Sequence, residues 1–592
     1  TDTFQYYGKN YKIVLKDGVG IDVSNYLGKE SKKRVLLSYY NSNPDVDPQS
    51  GNKFRNKAEK QPEVKRTTPT GKLGEYELFP GVFANEGQRE GIDKIKEFLR
   101  SKEDSFMLNG RGGTGKTTII KKILEEFKDK NIGGITVAHK AKKVLGRSIG
   151  RDKVKTIASA LAIKLDENTG KFEPDEFKRR EGKIPIKFMD IIIIDEASMI
   201  SPAMLKEILM FKKPSAKIIF MGDDAQLPPI GEKEDSPVFK TKNQHTLTEK
   251  MRQAATSPIM SIGTIVANNI VSDNTKLDSL TLEDRVNKRD LVSGSLSVFT
   301  NSEEKAIESF VKDLKKDPRN PNNVKAVTFN NERHSSPQSV RNLNAKIRKV
   351  LWGEDVKNQF NKGELLTAYS GFVDKSGDED SPLVYNSDDF VVESIETQNG
   401  VKGSVIVQSR AKGTRTFNFN YDVTYLTLID DEGKSLGTAV PVISSSSIDK
   451  YRSDLDNLWA TDKQLGIALE AKFANLQYGY AITSHKAQGS TYTNTYVFED
   501  NILGPTNGGD VKTKNKSLYV AVSRPTSKLV MISSKNTNSS QVIEIGELKQ
   551  STALDSFELP SKVIDTLRKM NSKQLEMFRK LKSEGIFTTK CH

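Results

Sequence analysis

The distribution of apolar positions divides the chain into stretches of different texture. Residues 1–40 alternate polar residues with Tyr, Val, Ile and Leu, as in "YKIVLKDGVGIDVSNYLG", which predicts short strands and turns. From Asn41 to Lys72 the text is rich in Asn, Pro and Lys and offers little apolar surface to offset its ordering entropy, so it reads as a linker. Between residues 76 and 250, helical periodicity alternates with short apolar runs: "DSFMLNG", "GGITVAH", "DIIIIDEA" and "AKIIFMGD". Near-continuous apolar runs of that length belong to strands covered on both faces, and hence to a parallel sheet flanked by helices. The same texture returns in "VKAVTFN" (324–330), "YAITSHK" (480–486) and "KLVMISS" (528–534), which predicts a second α/β unit.

Residues 365–435 change to strict alternation, with Asn399-Gly400 as a hairpin signal. That predicts a β-rich barrel or sandwich inserted into the second unit. In the tail, Ile564, Leu567, Leu575, Phe578 and Leu581 recur at near-helical spacing among lysines, predicting packed amphipathic helix. The expected organisation is a β-rich N-terminal region with linker (1–75), a first α/β domain (76–250) with an insertion at 162–187, a second α/β domain (251–364 and 466–545), its β-rich insertion (365–465) and a helical tail (546–592).

Composition narrows the class. Lys and Arg number 91 against 77 Asp and Glu, a net charge of +14, which suits a polyanionic partner. The single cysteine, Cys591, excludes an internal disulfide framework and a cysteine-based zinc site, in keeping with a reducing compartment. No apolar run approaches the ~20 residues a membrane-spanning helix needs, and the polar N-terminus is unlike a signal peptide. The expectation is a soluble, cytoplasmic protein.

Two motifs carry chemistry without any comparison. "GRGGTGKTT" (110–118) follows an apolar run and opens a helical stretch. In this pattern Gly110, Gly113, Thr114, Gly115 and Thr118 belong to a loop whose N–H groups cradle phosphates, Lys116 reaches the β and γ oxygens, and Thr117 holds Mg²⁺. "DIIIIDEAS" ends a buried strand on Asp195, suited to Mg²⁺, with Glu196 adjacent to polarise an attacking water. A third strand ends in "MGDDAQLPP", where the Gln226 amide can sense the γ-phosphate. The cofactors expected are ATP and Mg²⁺.

The ordered set "NEGQREGI" (85–92), "GRGGTGKTT", "IIIIDEAS", "GDDAQLPP", "LTEKMRQ" (247–253), "YAITSHKAQGST" (480–491) and "LYVAVSRP" (518–525) resembles the superfamily 1 helicases, specifically the RecD/Dda branch that moves 5′ to 3′. The resemblance implies two RecA-like domains clamping ATP, an SH3-like insertion in the second, and single-stranded DNA crossing both. It implies that Gln88 reads adenine, that Arg252 and Arg524 are arginine fingers, and that Gln488 and Gly489 approach the γ-phosphate. Thr483, His485 and His139 would contact the strand. Residues 162–187 occupy the place of a duplex-splitting hairpin, where Phe172 either stacks on a base or packs in the core. The sequence departs from the family pattern at Val137-Ala138, where Pro-Thr is usual, and at Ala158, where histidine is usual.

The function this implies is ATP-dependent unwinding of DNA in replication, repair or recombination, by a monomer acting on single-stranded and forked DNA in a bacterial or phage-infected cell. Replication or recombination proteins would dock on the N-terminal region or the tail. A viral-type RNA helicase and a non-enzymatic nucleic-acid clamp are the alternatives.

Overall fold

A computed structural model describes residues 2–6, 9–15, 21–23, 77–79, 82–137, 139–166, 171–249, 257–272, 275–331, 336–373, 383–409 and 413–545. The linker, Arg252 and the tail beyond 545 lie outside them, as do the side chains of His139 and Phe172. Two compact units divide the chain between Glu75 and Tyr76. In the first unit, strands Asp2–Tyr6, Lys9–Leu15 and Ile21–Val23 pair antiparallel in sequence order.

The second unit holds two sheets of the α/β kind. The first is six-stranded and wholly parallel, in the order Gln244–Leu247, Ser105–Gly110, Lys217–Gly222, Ile191–Asp195, Ile132–Thr136 and Val154–Thr156. Ile191 to Ile194 are buried, and successive members point into two different apolar clusters on opposite faces. This is the burial that an unbroken apolar run calls for. Helix Glu86–Arg100 covers one face through Ile92, Ile95 and Phe98, and a reciprocal Asn85–Gln88 capping box opens it.

The second sheet has seven strands in the order Ala481–Thr483, Val324–Thr328, Tyr492–Phe498, Pro525–Ile532, Leu296–Thr300, Lys288–Asp290 and Ile543–Ile545. Every pairing is parallel except that of Lys288–Asp290 with Leu296–Thr300. Helices Pro258–Val271 and Val511–Val522 bury Ile259, Ile262, Leu518 and Val522 in one cluster, and Ala225 and Leu227 from the first sheet's loops enter it. The two sheets therefore share apolar packing along the line where their loops meet.

A five-stranded antiparallel sheet interrupts the second α/β unit. Its centre is a long pair, Asp389–Ser409 with Gly413–Ile429, and its edge strand Leu476–Tyr478 falls in the stretch expected to belong to the parallel sheet. The sequence places a hairpin turn at Asn399-Gly400, and the structure differs. Gly400 adopts φ +64° at a register shift between Gln398 and Val401, so the pair makes a bulge within a continuous strand. Pairing continues outward to Ser409 with Gly413. Lys325 of the parallel sheet and Asp389 of the inserted one form a fully buried ion pair at 3.1 Å, tying the two together.

Candidate nucleotide site and strand-contact segment

The phosphate loop joins strand Ser105–Gly110 to helix Lys116–Leu124. Gly113 and Gly115 sit at φ +81° and +88°, backbone that side chains rarely tolerate, which is why the turn needs glycine there. Thr114 is buried and its hydroxyl donates to the Arg111 carbonyl at 2.9 Å. Lys116 Nζ donates to the carbonyls of Gly110 (2.5 Å) and Arg111 (3.3 Å), folded over its own loop. Thr117 and Thr118 occupy the first turn of the helix, half-buried.

Gln88 lies behind this loop. Its Nε2 donates to the Thr114 carbonyl at 2.9 Å, while its Oε1 accepts from the Asn85 N–H at 3.1 Å. The side chain thus connects the helix start to the loop and does not line the cleft.

That cleft, about 340 Å³, is walled by both sheets. From the first come Gly113, Lys116, Thr117, Asp195, Glu196 and Gln226; from the second come Gly489, Tyr519 and Arg524. Asp195 ends its strand with Oδ1 accepting the Glu196 N–H at 2.9 Å, and burial raises its carboxyl. Glu196 is held at φ +53°, left-handed backbone at a non-glycine residue, a strain of the kind that collects at functional sites. Burial, then the Asp195 charge, pushes its carboxyl up to about 7, against the pull of Arg524 and Lys116.

Among the described residues no three His, Cys, Asp or Glu side chains gather to hold a metal. The donor set nevertheless suits a small divalent cation. A Thr hydroxyl and a half-buried carboxylate share the cleft, and Mg²⁺ characteristically takes one or two protein ligands and completes its shell with phosphate oxygens and water.

Arg524 is fixed by three donations: Nε to the Val520 carbonyl (2.9 Å), Nη1 to the Ser490 carbonyl (3.1 Å) and Nη2 to Ser523 Oγ (2.8 Å). Gln488 is buried and reaches across to the first sheet's loops, with Nε2 donating to Gln226 Oε1 (3.1 Å) and Ser198 Oγ (3.2 Å). Five residues earlier, Thr483 caps the short helix Ser484–Ala487, and His485 is exposed with its ring 6.1 Å from that of Phe329. His139 begins helix His139–Ile149. Phe172 belongs to strand Lys171–Pro174, paired antiparallel with Ile163–Asp166, so a two-stranded hairpin occupies that segment. Ala158 packs against an apolar cluster of the first sheet.

Sequence reading missed a second set of groups. Arg111 Nη1 donates to Asp223 Oδ1 at 2.8 Å and also to Asp224, and the Tyr519 hydroxyl donates to Asp223 Oδ2 at 2.6 Å from the opposite wall. Burial and the neighbouring Asp223 hold the Tyr519 phenol well above its usual range. Arg111 and Asp223 stand inside motifs quoted above, and Tyr519 precedes Arg524 by five residues; only their pairing was invisible.

A family model described as an AAA domain matches residues 84–288. The ATP-dependent DNA helicase dda of Enterobacteria phage T4 is 27% identical over 462 residues, 74% of this chain and 97% of its own. An uncharacterised protein of Acanthamoeba polyphaga mimivirus is 26% identical over 522 residues, 75% of this chain and 99% of its own. Among solved structures, the Pif1 helicase of Candida albicans aligns at 15% identity with a TM-score of 0.38, covering 85% of this chain and 100% of that one. No helix among the described residues is long and apolar enough to cross a membrane. By its ordered motifs and its likeness along nearly the whole length of the phage enzyme, the chain is similar to the superfamily 1 helicases of the RecD/Dda type, and it is an ATP-hydrolysing enzyme.

Proposed function

We propose that this protein is a DNA helicase that uses ATP to move 5′ to 3′ along a single strand and unwind the duplex ahead of it, acting as a monomer. The observation that carries the reading is the shared cleft: groups able to bind and hydrolyse a nucleotide come from two separate sheets, so a nucleotide held there would touch both. The 5′ to 3′ direction rests on the motif resemblance, and DNA as substrate also on the names of the relatives.

Within that cleft the phosphate-loop N–H groups and Lys116 bind the β and γ phosphates; by the motif resemblance Gln88, bonded to the back of the loop at the Thr114 carbonyl, reads adenine. Thr117 and Asp195 would hold Mg²⁺, which supplies charge neutralisation between the phosphates when bound. Glu196, its carboxyl raised by burial and by the neighbouring Asp195, accepts the proton of the attacking water. Arg524, with Arg252, stabilises charge on the transferring phosphoryl, a contribution worth about 10³–10⁵ in rate. Gln226 and Gln488 sense the γ-phosphate. His139, Thr483 and His485 hold the strand backbone, and the hairpin carrying Phe172 parts the duplex. Such an enzyme works where ATP and DNA coexist, the cytoplasm of a bacterial or phage-infected cell.

The deciding experiment measures unwinding of 5′-tailed and 3′-tailed duplexes of DNA and of RNA. Unwinding of 5′-tailed DNA alone is expected. Unwinding from a 3′ tail overturns the direction, and a preference for RNA overturns the substrate in favour of an RNA helicase.

A further inference from the structure

Away from the cleft, the first α/β domain carries a second concavity of about 310 Å³, lined by Lys142, Arg151, Lys155, Lys178 and Lys183, with Asp152 the one carboxylate in its wall. Its lining comes from separate pieces of chain. Lys142 lies on helix His139–Ile149, Lys155 on strand Val154–Thr156, and Lys178 on helix Glu176–Arg180. Arg151 is paired with Glu432 at 2.8 Å and Lys183 with Glu181 at 2.7 Å. Lys142 and Lys155 make no ion pair among the described residues.

A run of lysines usually spreads over a convex surface, where water screens each charge. Here the fold brings like charges into a hollow. Partial burial, then the Lys155 charge, holds the Lys142 ammonium below its usual range. The cost of that arrangement is relieved by an anion that fits the hollow.

Position says which anion. The chain enters the 163–174 hairpin directly after helix Ile157–Leu161 and leaves it into helix Glu176–Arg180. The Asp175 N–H donates to the Ala162 carbonyl at 2.9 Å and Arg179 Nε to the same carbonyl at 3.2 Å, closing the hairpin's foot. Ser159 and Lys178, on the flanking helices, line the basic hollow. Hollow and hairpin are thus built from one stretch of chain.

We propose that this hollow binds the phosphodiester backbone of nucleic acid at the foot of the hairpin, as a contact in addition to those expected of His139, Thr483 and His485. It rests on the nucleic-acid reading above. Where the hairpin meets a junction, the backbone held is that of the forked duplex.

The test compares wild type with Lys142→Gln/Lys155→Gln and with Lys142→Arg/Lys155→Arg. Binding of a labelled fork and of a plain single strand is titrated over a range of salt, alongside single-strand-stimulated ATPase. For the Gln variant, affinity for the fork is expected to fall roughly ten-fold, and the slope of log affinity against log salt to shrink by about 2, one counterion contact per lysine. The Arg variant should restore both, and ATPase at saturating single strand should stay within about two-fold of wild type, which shows that the protein is folded. Equal weakening on fork and single strand would still support a backbone site while assigning it to the single strand. Unchanged affinity and slope on both substrates overturn the proposal. A wild type whose ATPase ignores DNA would instead overturn the reading it rests on.

Discussion

Gln488 Nε2 donates to Gln226 Oε1 across 3.1 Å, a buried bond between residues 262 positions apart that join loops of two different sheets. Gln226 follows strand Lys217–Gly222; Gln488 ends the turn of helix begun by Thr483, with exposed His485 inside it. One short segment therefore touches the nucleotide cleft at one end and presents polar groups to solvent at the other. A coupling carried this way is a shared free energy and is reciprocal for binding. Wild-type affinity for single strands should depend on a non-hydrolysable ATP analogue, and Gln488→Ala should flatten that dependence, whereas His485→Ala mainly weakens strand binding. Titrations of labelled strand with and without the analogue measure it; a full nucleotide-dependent shift in Gln488→Ala places the coupling elsewhere.

Lys116→Ala and Glu196→Gln should each abolish ATP turnover, by at least about 10³-fold, and leave single-strand affinity within a few-fold. Both side chains line the cleft and neither belongs to the segment carrying Thr483 and His485. Strand binding by both variants should still weaken as salt rises. Undiminished DNA-stimulated ATPase in Lys116→Ala would sink the site assignment.

Tyr519→Phe removes the donor that reaches Asp223 from the opposite wall and leaves a buried carboxylate oxygen short of one bond. An unsatisfied buried group costs about 1–3 kcal/mol, and the bond lost is one between the walls. The nucleotide KM should rise about ten-fold with a smaller fall in kcat. An unchanged KM would show that closure does not depend on this pair.

The hairpin at 163–174 leads to a split between two activities. Phe172→Ala should slow unwinding of a 5′-tailed duplex several-fold while single-strand-stimulated ATPase stays near wild type, because the hairpin projects from residues outside the cleft. Equal loss of both activities, with a lowered melting temperature, would return Phe172 to a packing role.

Lys325→Ala should lower stability by about 3–5 kcal/mol, read as a shift in denaturant midpoint, since it removes the counter-charge of the buried Asp389 carboxylate and leaves it the Thr367 hydroxyl. Lys325 Nζ also donates to the Gly479 carbonyl at 2.6 Å, so the loss falls on the junction between parallel and inserted sheets. A change below about 1 kcal/mol would mean that water reaches the site.

Periodicity and motif spacing were enough to read the two parallel sheets and the phosphate loop. An apolar run such as Ile191 to Ile194 has one economical environment, covered on both faces, and a glycine loop between strand and helix has few conformations. Those are local properties, and local sequence carries them. Asn399-Gly400 shows the limit: the same dipeptide serves a turn or a bulge, and the choice fell to the partner strand, whose pairing with Gly413–Ile429 continues past it. Strand Leu476–Tyr478 likewise joined the inserted sheet because Leu365–Ala368 offered it a free edge. The motif resemblance already set Gln226 and Gln488 at one phosphate, whereas the meetings of Tyr519 with Asp223 and of Lys142 with Lys155 were decided by tertiary structure alone. Each depends on which loop faces which once the apolar faces are buried, and no short-range pattern encodes a contact made across that distance.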